Sequence, residues 1–310
     1  MSRRPVWIDT DTGVDDALAL LTALRLDNLD VVGVSAVCGN VSLDKTYRNA
    51  RNVLFLGGRE DIPVYPGAEK PMLLPLQTAE NIHGVNGLGG VELPESPAPR
   101  ETTKAWDAIY RCAKQYDGEL ELILLGPKTN VALALARYPS LSEYIKRIVF
   151  MGGANIGGNS TAVAEFNIYV DPHAAELIFR SGIPIVMCGL DVTEKAYLNH
   201  DEIQRIQSFD NPYGRFFRDS TKGTREFLAR RGKDIFIPHD VCPILYEAMP
   251  DLFEGQIAGV HVETRGKITM GQTITDLYTD KKFEQRNVLV ITNVDRQKFA
   301  NILIALIENA

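Results

Sequence analysis

The sequence predicts an α/β fold with an open, mainly parallel sheet and helices on both of its faces. Short, continuously apolar runs alternate with helical patterns along the chain, and Gly turns with polar residues follow the runs. When helices cover both faces of a parallel sheet, its strands are buried on both sides and their sequences are continuous apolar runs. The chain of 310 residues is 45% hydrophobic, so it can bury a large core, and we expect one domain over residues 1–310.

The first element is the short, β-branched run at 6–8, which predicts a buried strand, and residues 14–24 then carry apolar side chains at helical spacing. The same two patterns predict strands at 31–37, 120–125, 147–151, 183–188 and 287–292, and helices at 43–56, 131–137, 171–180, 242–249 and 295–309. The apolar face of the last helix consists of Phe299, Ile302, Leu303, Leu306 and Ile307. Residues 199–231 are helix-rich and more polar, which predicts a segment that flanks the ligand.

Composition favours a cytoplasmic protein with a small-molecule ligand. The net charge of -7 argues against a nucleic-acid surface, which needs clustered Lys and Arg. The four cysteines are scattered in apolar surroundings, which is typical of reduced core thiols and not of a structural zinc site. We find no run near the ~20 apolar residues of a membrane span and no signal-peptide pattern.

Four carboxylates, Asp9, Asp11, Asp15 and Asp16, follow the first strand within eight residues. Their loop leads from a strand to a helix and is expected at the carboxyl edge of the sheet, where ligands bind. Like charges repel by roughly 4 kcal/mol at 4 Å near a protein surface unless a cation lies among them. A hard divalent metal is the natural partner, although helix capping by Asp11 is the simpler alternative.

Polar residues also follow the later strands. Asn40 and Asn130 come after Gly turns, where Asn is equally a common turn residue. The segment 164–167, Ala-Glu-Phe-Asn, offers a carboxylate and an amide for sugar hydroxyls beside an aromatic face. Asp240, preceded by His239, is a distant carboxylate that would complete a cation site, although Asp before a helix is usually an N-cap.

The acidic segment can be compared with three known motifs, of which one matches at every defined position. An EF-hand loop counted from Asp9 fails, since Gly13, Val14 and Leu20 stand where it needs Asp or Asn, Gly and Glu. Haloacid-dehalogenase phosphatases share Asp-x-Asp-x-Thr, but they have an apolar residue at the position of Gly13 and a distal Gly-Asp or paired Asp motif that we do not find. The Asp-x-Asp-x-Gly-x-Asp-Asp motif of nucleoside hydrolases is matched at every defined position.

The resemblance to nucleoside hydrolases, specifically to the inosine-uridine-preferring type, extends over nearly the whole chain. The matching motifs keep the family's order and spacing: the acidic segment, Gly39-Asn40, Gly-Pro-x-Thr-Asn at 126–130, Met151-Gly152-Gly153, 164–167, Asp171-Pro172 and His239-Asp240. The resemblance implies hydrolysis of the N-glycosidic bond of ribonucleosides, which releases base and ribose for salvage. It also implies a homodimer or homotetramer.

The resemblance implies a calcium ion held by Asp11, Asp16, the backbone carbonyl of Leu125 and Asp240. Asp11 would also be the general base, and His239 would protonate the leaving base, which needs a group that titrates near neutrality. The expected substrate-binding residues are Asp15, Asn40, His83, Met151, Asn159, Glu165, Phe166 and Asn167. Within this set, Asp15, Asn159, Glu165 and Asn167 would hold ribose, and His83 would approach when the Gly-rich loop at 81–90 closes.

Two alternatives to the hydrolase are the phosphatase and a nonenzymatic nucleoside sensor on the same scaffold. The sensor would be favoured by loss of a metal ligand or base, and the chain shows no such loss. Purine-specific members stack the base on tryptophans, but Trp7 lies in the first strand and Trp106 lies away from the motifs. We therefore expect broad or pyrimidine-leaning use, including inosine and uridine, with Phe217 or Phe227 covering the base.

Overall fold

The computed structural model describes residues 3–277 and 283–310 and contains one large sheet and one short two-stranded sheet. The strands are β1 (Arg4–Thr10), β2 (Leu29–Ala36), β3 (Val64–Pro66), β4 (Leu120–Leu124), β5 (Ile145–Met151), β6 (Ile185–Cys188), β7 (Leu198–Asn199), β8 (Ile235–Phe236), β9 (Phe253–Val262), β10 (Thr273–Asp276) and β11 (Val288–Val294). The large sheet has nine strands in the order β10-β9-β11-β6-β5-β4-β1-β2-β3. Its strands from β11 to β3 run parallel, whereas β9 and β10 add an antiparallel edge.

Helices cover both faces of this sheet. The helices of the described residues are α1 (Val14–Ala23), α2 (Leu43–Leu56), α3 (Glu80–His83), α4 (Ala105–Tyr116), α5 (Thr129–Arg137), α6 (Phe166–Val170), α7 (Pro172–Phe179), α8 (Leu190–Thr193), α9 (His200–Gln207), α10 (Pro212–Ser220), α11 (Lys222–Ala229), α12 (Val241–Ala248) and α13 (Arg296–Glu308), with short 3₁₀ turns at Pro139–Glu143 and Pro250–Leu252. Among the described residues, none of the helices has the length and apolar character that a membrane span requires.

Alternate residues of each central strand enter different cores. Ile8 and Ile123 pack with α1, α2, α12 and α13, whereas Trp7 and Leu122 pack with α4, α5 and α7 on the other face. Successive side chains of a strand point to opposite faces, so two cores require two covered faces. The predicted fold class, an open and mainly parallel sheet between two layers of helices, is confirmed.

The predicted helix at 43–56 is confirmed at both ends. The ends of the other predicted elements either agree with the structure or differ from it by one or two residues. The antiparallel pair β9 and β10 is not among the strands that the sequence pattern predicts. The middle of β9 from Glu254 to Ile257 is exposed, so this edge strand lacks the continuously apolar pattern that marked the buried strands.

The strand order reverses direction at β1, because β2 lies on one side of it and β4 on the other. Connections that leave neighbouring strands toward opposite sides open a crevice at the carboxyl ends of those strands. The acidic segment follows β1 and the Gly126 turn follows β4, so the fold places both at this crevice.

Candidate active site

A cavity of about 490 Å³ opens at the carboxyl edge of the sheet. Eleven of the residues expected from the sequence line it: Asp11, Asp15, Asn40, His83, Met151, Asn159, Glu165, Phe166, Asn167, His239 and Asp240. The other two, Asp16 and Leu125, are fully buried beside it. The fold therefore brings all the expected site residues to one place.

The floor of the cavity holds a cluster of carboxylates. Oxygens of Asp15, Asp16 and Asp240 lie within 4.8 Å of one another, and Asp11 is within hydrogen-bonding reach of Asp16. Burial and repulsion from neighbouring carboxylates raise the pKa of Asp11 and Asp240 well above the usual range, and raise the pKa of Asp15 to about 7. Buried, mutually repelling carboxylates with hard oxygen donors suit a divalent cation, so this cluster can hold a metal ion.

Asp11 is enclosed by two turns that lack side chains. A Cβ on Gly39 would collide with Asp11 Oδ2, and a Cβ on Gly126 would lie 2.6 Å from Oδ1. The backbone N–H of Asn40 donates to Oδ2 at 2.7 Å. The Gly turns after β2 and β4 are thus needed because the Asp11 carboxylate occupies the space that side chains would fill.

Asp16 is fixed by donors from its own loop and from Asn40. Thr10 Oγ1 donates to Oδ1 at 2.7 Å, while the N–H of Gly13 and Nδ2 of Asn40 each donate to Oδ2 at 3.0 Å. A Cβ on Gly13 would lie 2.5 Å from Nδ1 of His83. Asn40 therefore holds both Asp11 and Asp16, which goes beyond the turn role that its type alone suggests.

The segment with Glu165 and Asn167 forms a second wall. Glu165 caps α6 and accepts from the N–H groups of Asn167 (2.9 Å), Ile168 (3.2 Å) and Gly153 (2.9 Å). Asn167 Nδ2 donates to the backbone oxygen of Leu125 at 2.7 Å, so this carbonyl is directed toward the site. A carbonyl oxygen has a second lone pair, which leaves it able to accept another partner.

Asn159 belongs to the loop that follows β5. Its Oδ1 accepts from the N–H of Phe166 at 2.9 Å, which joins this loop to the start of α6. Met151 ends β5, and its Sδ lies 3.3 Å from Nδ2 of Asn167. The loop, the end of β5 and α6 thus present their polar groups to one part of the cavity.

Two histidines, His83 and His239, also line the cavity. His239 Nδ1 lies 2.8 Å from Thr193 Oγ1, and His83 Nδ1 accepts from the N–H of Val14 at 3.1 Å and lies 3.9 Å from Asp15 Oδ1. Burial lowers the pKa of each imidazole to about 4. Burial thus disfavours the imidazolium form of His239, although its residue type suggests titration near neutrality.

The segment 199–231 contributes to the cavity through α11. Thr224, Phe227 and Leu228 line the cavity, and so does Arg231, whose Cζ lies 3.9 Å from the centre of the Phe227 ring. Phe217, the other aromatic residue considered from the sequence, is wrong for this position. It is fully buried and packs edge-to-face on Phe236 with ring centres 5.4 Å apart.

Sequence reasoning missed Thr193 and Lys128. Thr193 lies in α8, which follows the Gly189 turn after β6, so the pattern of strand, Gly turn and polar residue would have indicated it. Lys128 stands at the variable position of the Gly-Pro-x-Thr-Asn motif, and its side chain is fully buried. A lysine gives no signal of burial in a sequence, because most lysines are exposed.

Comparison with known proteins gives consistent matches over the chain. The sequence profile of the family described as inosine-uridine preferring nucleoside hydrolase matches residues 6–301. The pyrimidine-specific ribonucleoside hydrolase RihA of Citrobacter koseri is 41% identical over 307 residues, which is 96% of either chain. A RihA of Shewanella woodyi is 40% identical over 311 residues and 98% of either chain.

Solved structures of the same kind superpose on the whole fold. A plant nucleoside hydrolase gives a TM-score of 0.94 at 29% identity and covers 99% of both chains. A purine-preferring ribonucleoside hydrolase from Gardnerella vaginalis gives 0.92 at 32% identity, with 99% of this chain and 100% of that one covered. With the matched profile and an acidic cavity at the sheet edge, the chain belongs to the inosine-uridine preferring nucleoside hydrolase family and hydrolyses the N-glycosidic bond of ribonucleosides.

Proposed function

We propose that the protein is a calcium-dependent ribonucleoside hydrolase in which Asp11 is the general base. The observation that carries the proposal is the carboxylate cluster on the floor of the cavity, where Asp15, Asp16 and Asp240 converge and Asp11 lies beside Asp16. Asp11, Asp16, the Leu125 carbonyl and Asp240 would hold the ion, since all four offer the oxygen donors that calcium prefers. When bound, calcium would supply the positive charge that orients and acidifies water and binds sugar hydroxyls.

Asp11 is the carboxylate best placed to take a proton. Its Oδ2 accepts from the N–H of Asn40, which leaves Oδ1 as the oxygen available for a proton. Burial and the adjacent Asp16 raise its pKa when no cation is bound, and a cation in the cluster would favour the ionised form that a base requires. The turns at Gly39 and Gly126 hold it in one orientation.

The sugar is proposed to bind between the carboxylate cluster and the wall that contains Glu165. Asp15, Asn159, Glu165 and Asn167 would accept or donate hydrogen bonds to ribose hydroxyls and the 5′ end, with Asn40 nearby. Met151 and Phe166 would give the apolar contacts, because both line the cavity. The surrounding carboxylates offset the positive charge that develops on the sugar as the glycosidic bond breaks.

The base would then lie near His239 and under α11. Nδ1 of His239 is engaged by Thr193, which leaves Nε2 for the departing base. Because burial lowers the pKa of His239 to about 4, the imidazole is neutral at pH 7 and would assist as a hydrogen-bond donor through Nε2. His83 is proposed to contact the substrate from α3.

Broad or pyrimidine-leaning base use is the preference we propose, with inosine and uridine as substrates. The RihA relatives are named pyrimidine-specific, whereas the Gardnerella vaginalis structure is named purine-preferring. Trp7 is buried, stacks on Tyr65 with ring centres 5.3 Å apart, and donates its Nε1–H to Ser35. Among the described residues that line the cavity no tryptophan occurs, and Phe227 is the aromatic residue that α11 supplies.

Steady-state rates test this proposal. We expect turnover of uridine, cytidine and inosine to exceed that of adenosine and guanosine, and 2′- and 5′-deoxynucleosides to be much poorer substrates. Buried polar groups left without partners cost about 1 to 3 kcal/mol each, which is roughly 5- to 150-fold in kcat/KM. Equal efficiency on ribo- and deoxyribonucleosides would refute the sugar assignments, and phosphate release from a generic phosphoester would favour a phosphatase instead.

A further inference from the structure

Lys128 is a buried lysine next to the sugar half of the cavity, and the proposed chemistry gives it no role. It stands between β4 and α5, and none of its surface is exposed (0%). A buried ammonium group is costly unless it is paired and hydrogen-bonded. Its position at the N-terminus of α5 adds no stability, because the helix dipole disfavours a cation there. The favourable contacts of Lys128 must therefore come from elsewhere.

The ammonium group joins the carboxyl ends of two neighbouring strands. Nζ donates to the carbonyl of Gly126 at 2.6 Å and to the carbonyl of Met151 at 2.7 Å, and it lies 4.8 Å from the centre of the Phe150 ring. Asn167 Nδ2 approaches the same Met151 oxygen at 3.5 Å while it donates to Leu125. Lys128 thus belongs to one hydrogen-bond network with the strand ends and with Asn167.

Lys128 also faces Glu165 across a glycine. Nζ of Lys128 and Oε2 of Glu165 lie 3.3 and 3.4 Å from the point that a Cβ on Gly152 would occupy. Glu165 is 2% exposed, and burial raises the pKa of its carboxyl group while the positive charge of Lys128 lowers it. The charge of Glu165 in turn offsets part of the effect of burial, which lowers the pKa of Lys128 to about 8. The charges of Lys128 and Glu165 therefore stabilise each other in a buried region where water does not solvate them.

We propose that Lys128 is a positioning residue for sugar recognition that places a positive charge beside Glu165 and fixes the ends of β4 and β5 around it. This inference rests on the proposed contact between Glu165 and the 5′ end of the ribonucleoside. An ionised, oriented carboxylate is a strong acceptor for the 5′ hydroxyl, and a 5′-deoxynucleoside cannot use it. The ratio of kcat/KM for uridine to kcat/KM for 5′-deoxyuridine therefore measures what Lys128 and Glu165 contribute together.

The experiment compares this ratio in the full-length wild-type enzyme, Lys128→Met, Lys128→Gln, Glu165→Gln and the double variant Lys128→Met/Glu165→Gln. Methionine keeps the length of the side chain without charge or donors, and glutamine keeps donors without charge. We expect the Lys128 and Glu165 single variants to lower the preference for uridine about tenfold, and the double variant to lower it no further. Arg147→Met is the matched control, because Arg147 lies near the other end of β5 and pairs with Glu247 at 2.7 Å. It should lower thermal stability and keep the wild-type ratio.

The outcomes separate the two assignments. If Glu165→Gln lowers the ratio but neither Lys128 variant does, the inference about Lys128 is overturned while the role of Glu165 stands. If Glu165→Gln leaves the ratio unchanged, the proposed role of Glu165 fails and the inference fails with it. If the Lys128 variants lose kcat/KM equally for uridine and 5′-deoxyuridine, the role of Lys128 is only structural and the inference is overturned. If Lys128→Met does not fold, the ratio measured for Lys128→Gln tests the inference by itself.

Discussion

At the scale of single residues, chemically identical carboxylates acquire different roles from their surroundings. Asp11 is enclosed by the turns at Gly39 and Gly126 and has one oxygen left for a proton. Asp16 accepts three hydrogen bonds from Thr10, Gly13 and Asn40, so its orientation is fixed and it suits a metal ligand better than a base. The difference follows from hydrogen bonding and space, since both side chains are buried.

Asp11→Asn should abolish turnover far more than it weakens substrate binding. A general base contributes ~10² to 10⁴-fold to rate, and the loss of a metal ligand adds to this. Single-turnover rates and the Kd of a nonhydrolysable nucleoside analogue would measure the two effects separately. Asp171→Asn is the control, because Asp171 is a buried carboxylate that caps α7 outside the cavity. A folded Asp11→Asn enzyme that kept more than about a tenth of wild-type kcat would contradict the assignment.

His239→Ala should slow hydrolysis of inosine and uridine strongly and that of 4-nitrophenyl riboside weakly. Nitrophenolate departs without a proton donor, so it does not need the Nε2–H that we assign to the departing base. Thr193→Val should reproduce part of the same difference, since Thr193 Oγ1 lies 2.8 Å from Nδ1 of His239. Equal losses on both leaving groups would instead indicate that the substitution disturbs Asp240 and the metal site.

At the scale of elements, α12 joins the sheet through a cluster of two arginines and two glutamates away from the cavity. Glu247 of α12 pairs with Arg4 of β1 at 3.0 Å and Arg147 of β5 at 2.7 Å, and Arg147 also pairs with Glu121 of β4 at 2.8 Å. The Oε2 atom of Glu247 is buried with no donor among the described residues. Burial and the adjacent Glu121 raise the pKa of Glu247 to about 8, so the pair of carboxyl groups holds one proton at neutral pH.

Glu247→Gln should make stability less dependent on pH. The native carboxyl holds its proton up to about pH 8, whereas the unfolded chain loses it near the ordinary value of 4.5. The native state binds more protons between these values, so this group makes stability fall as pH rises through that window. Melting temperatures at pH 5 and pH 8 should therefore differ less in the variant than in the wild type.

Glu119→Gln serves as the control for this measurement, since its side chain is 69% exposed and its partner is Lys146. It should keep the wild-type difference between the two pH values, because an exposed ion pair contributes little to stability. Identical pH dependence in wild type and Glu247→Gln would show that Glu247 is ionised in the folded protein.

At the scale of the whole molecule, the proposed calcium ligands come from three distant parts of the chain. Asp11 and Asp16 follow β1, Leu125 follows β4, and Asp240 precedes α12. An ion bound by all of them would join these segments and bind the folded state but not the unfolded chain. Such a ligand stabilises the fold by mass action.

Removal of calcium should lower both the melting temperature and activity, and added calcium should restore both. At free calcium of 100 Kd the stabilisation is about 2.7 kcal/mol. Asp240→Asn should reduce the calcium-dependent shift in melting temperature, which reports binding without reference to catalysis. Purified protein without a divalent ion by elemental analysis, together with full turnover in excess chelator, would contradict the proposal.

The sequence by itself determined the fold class and the positions of most site residues along the chain. Buried parallel strands must be apolar on both faces, and turns with Gly and polar residues follow them, so both features leave local patterns. The acidic segment after β1 and the His239-Asp240 pair are equally local. These signals survive in a linear sequence because each depends on neighbouring residues only.

The tertiary structure alone decided which groups meet and what state they have. It brought Thr193 to His239, placed Phe227 and not Phe217 in the cavity, and buried Lys128 beside Glu165. Contacts of this kind join residues far apart in the chain, and pKa shifts depend on burial and on charges from several elements at once. The spacing of residues along the chain encodes neither these long-range contacts nor the pKa shifts, so neither could be predicted from the residue types.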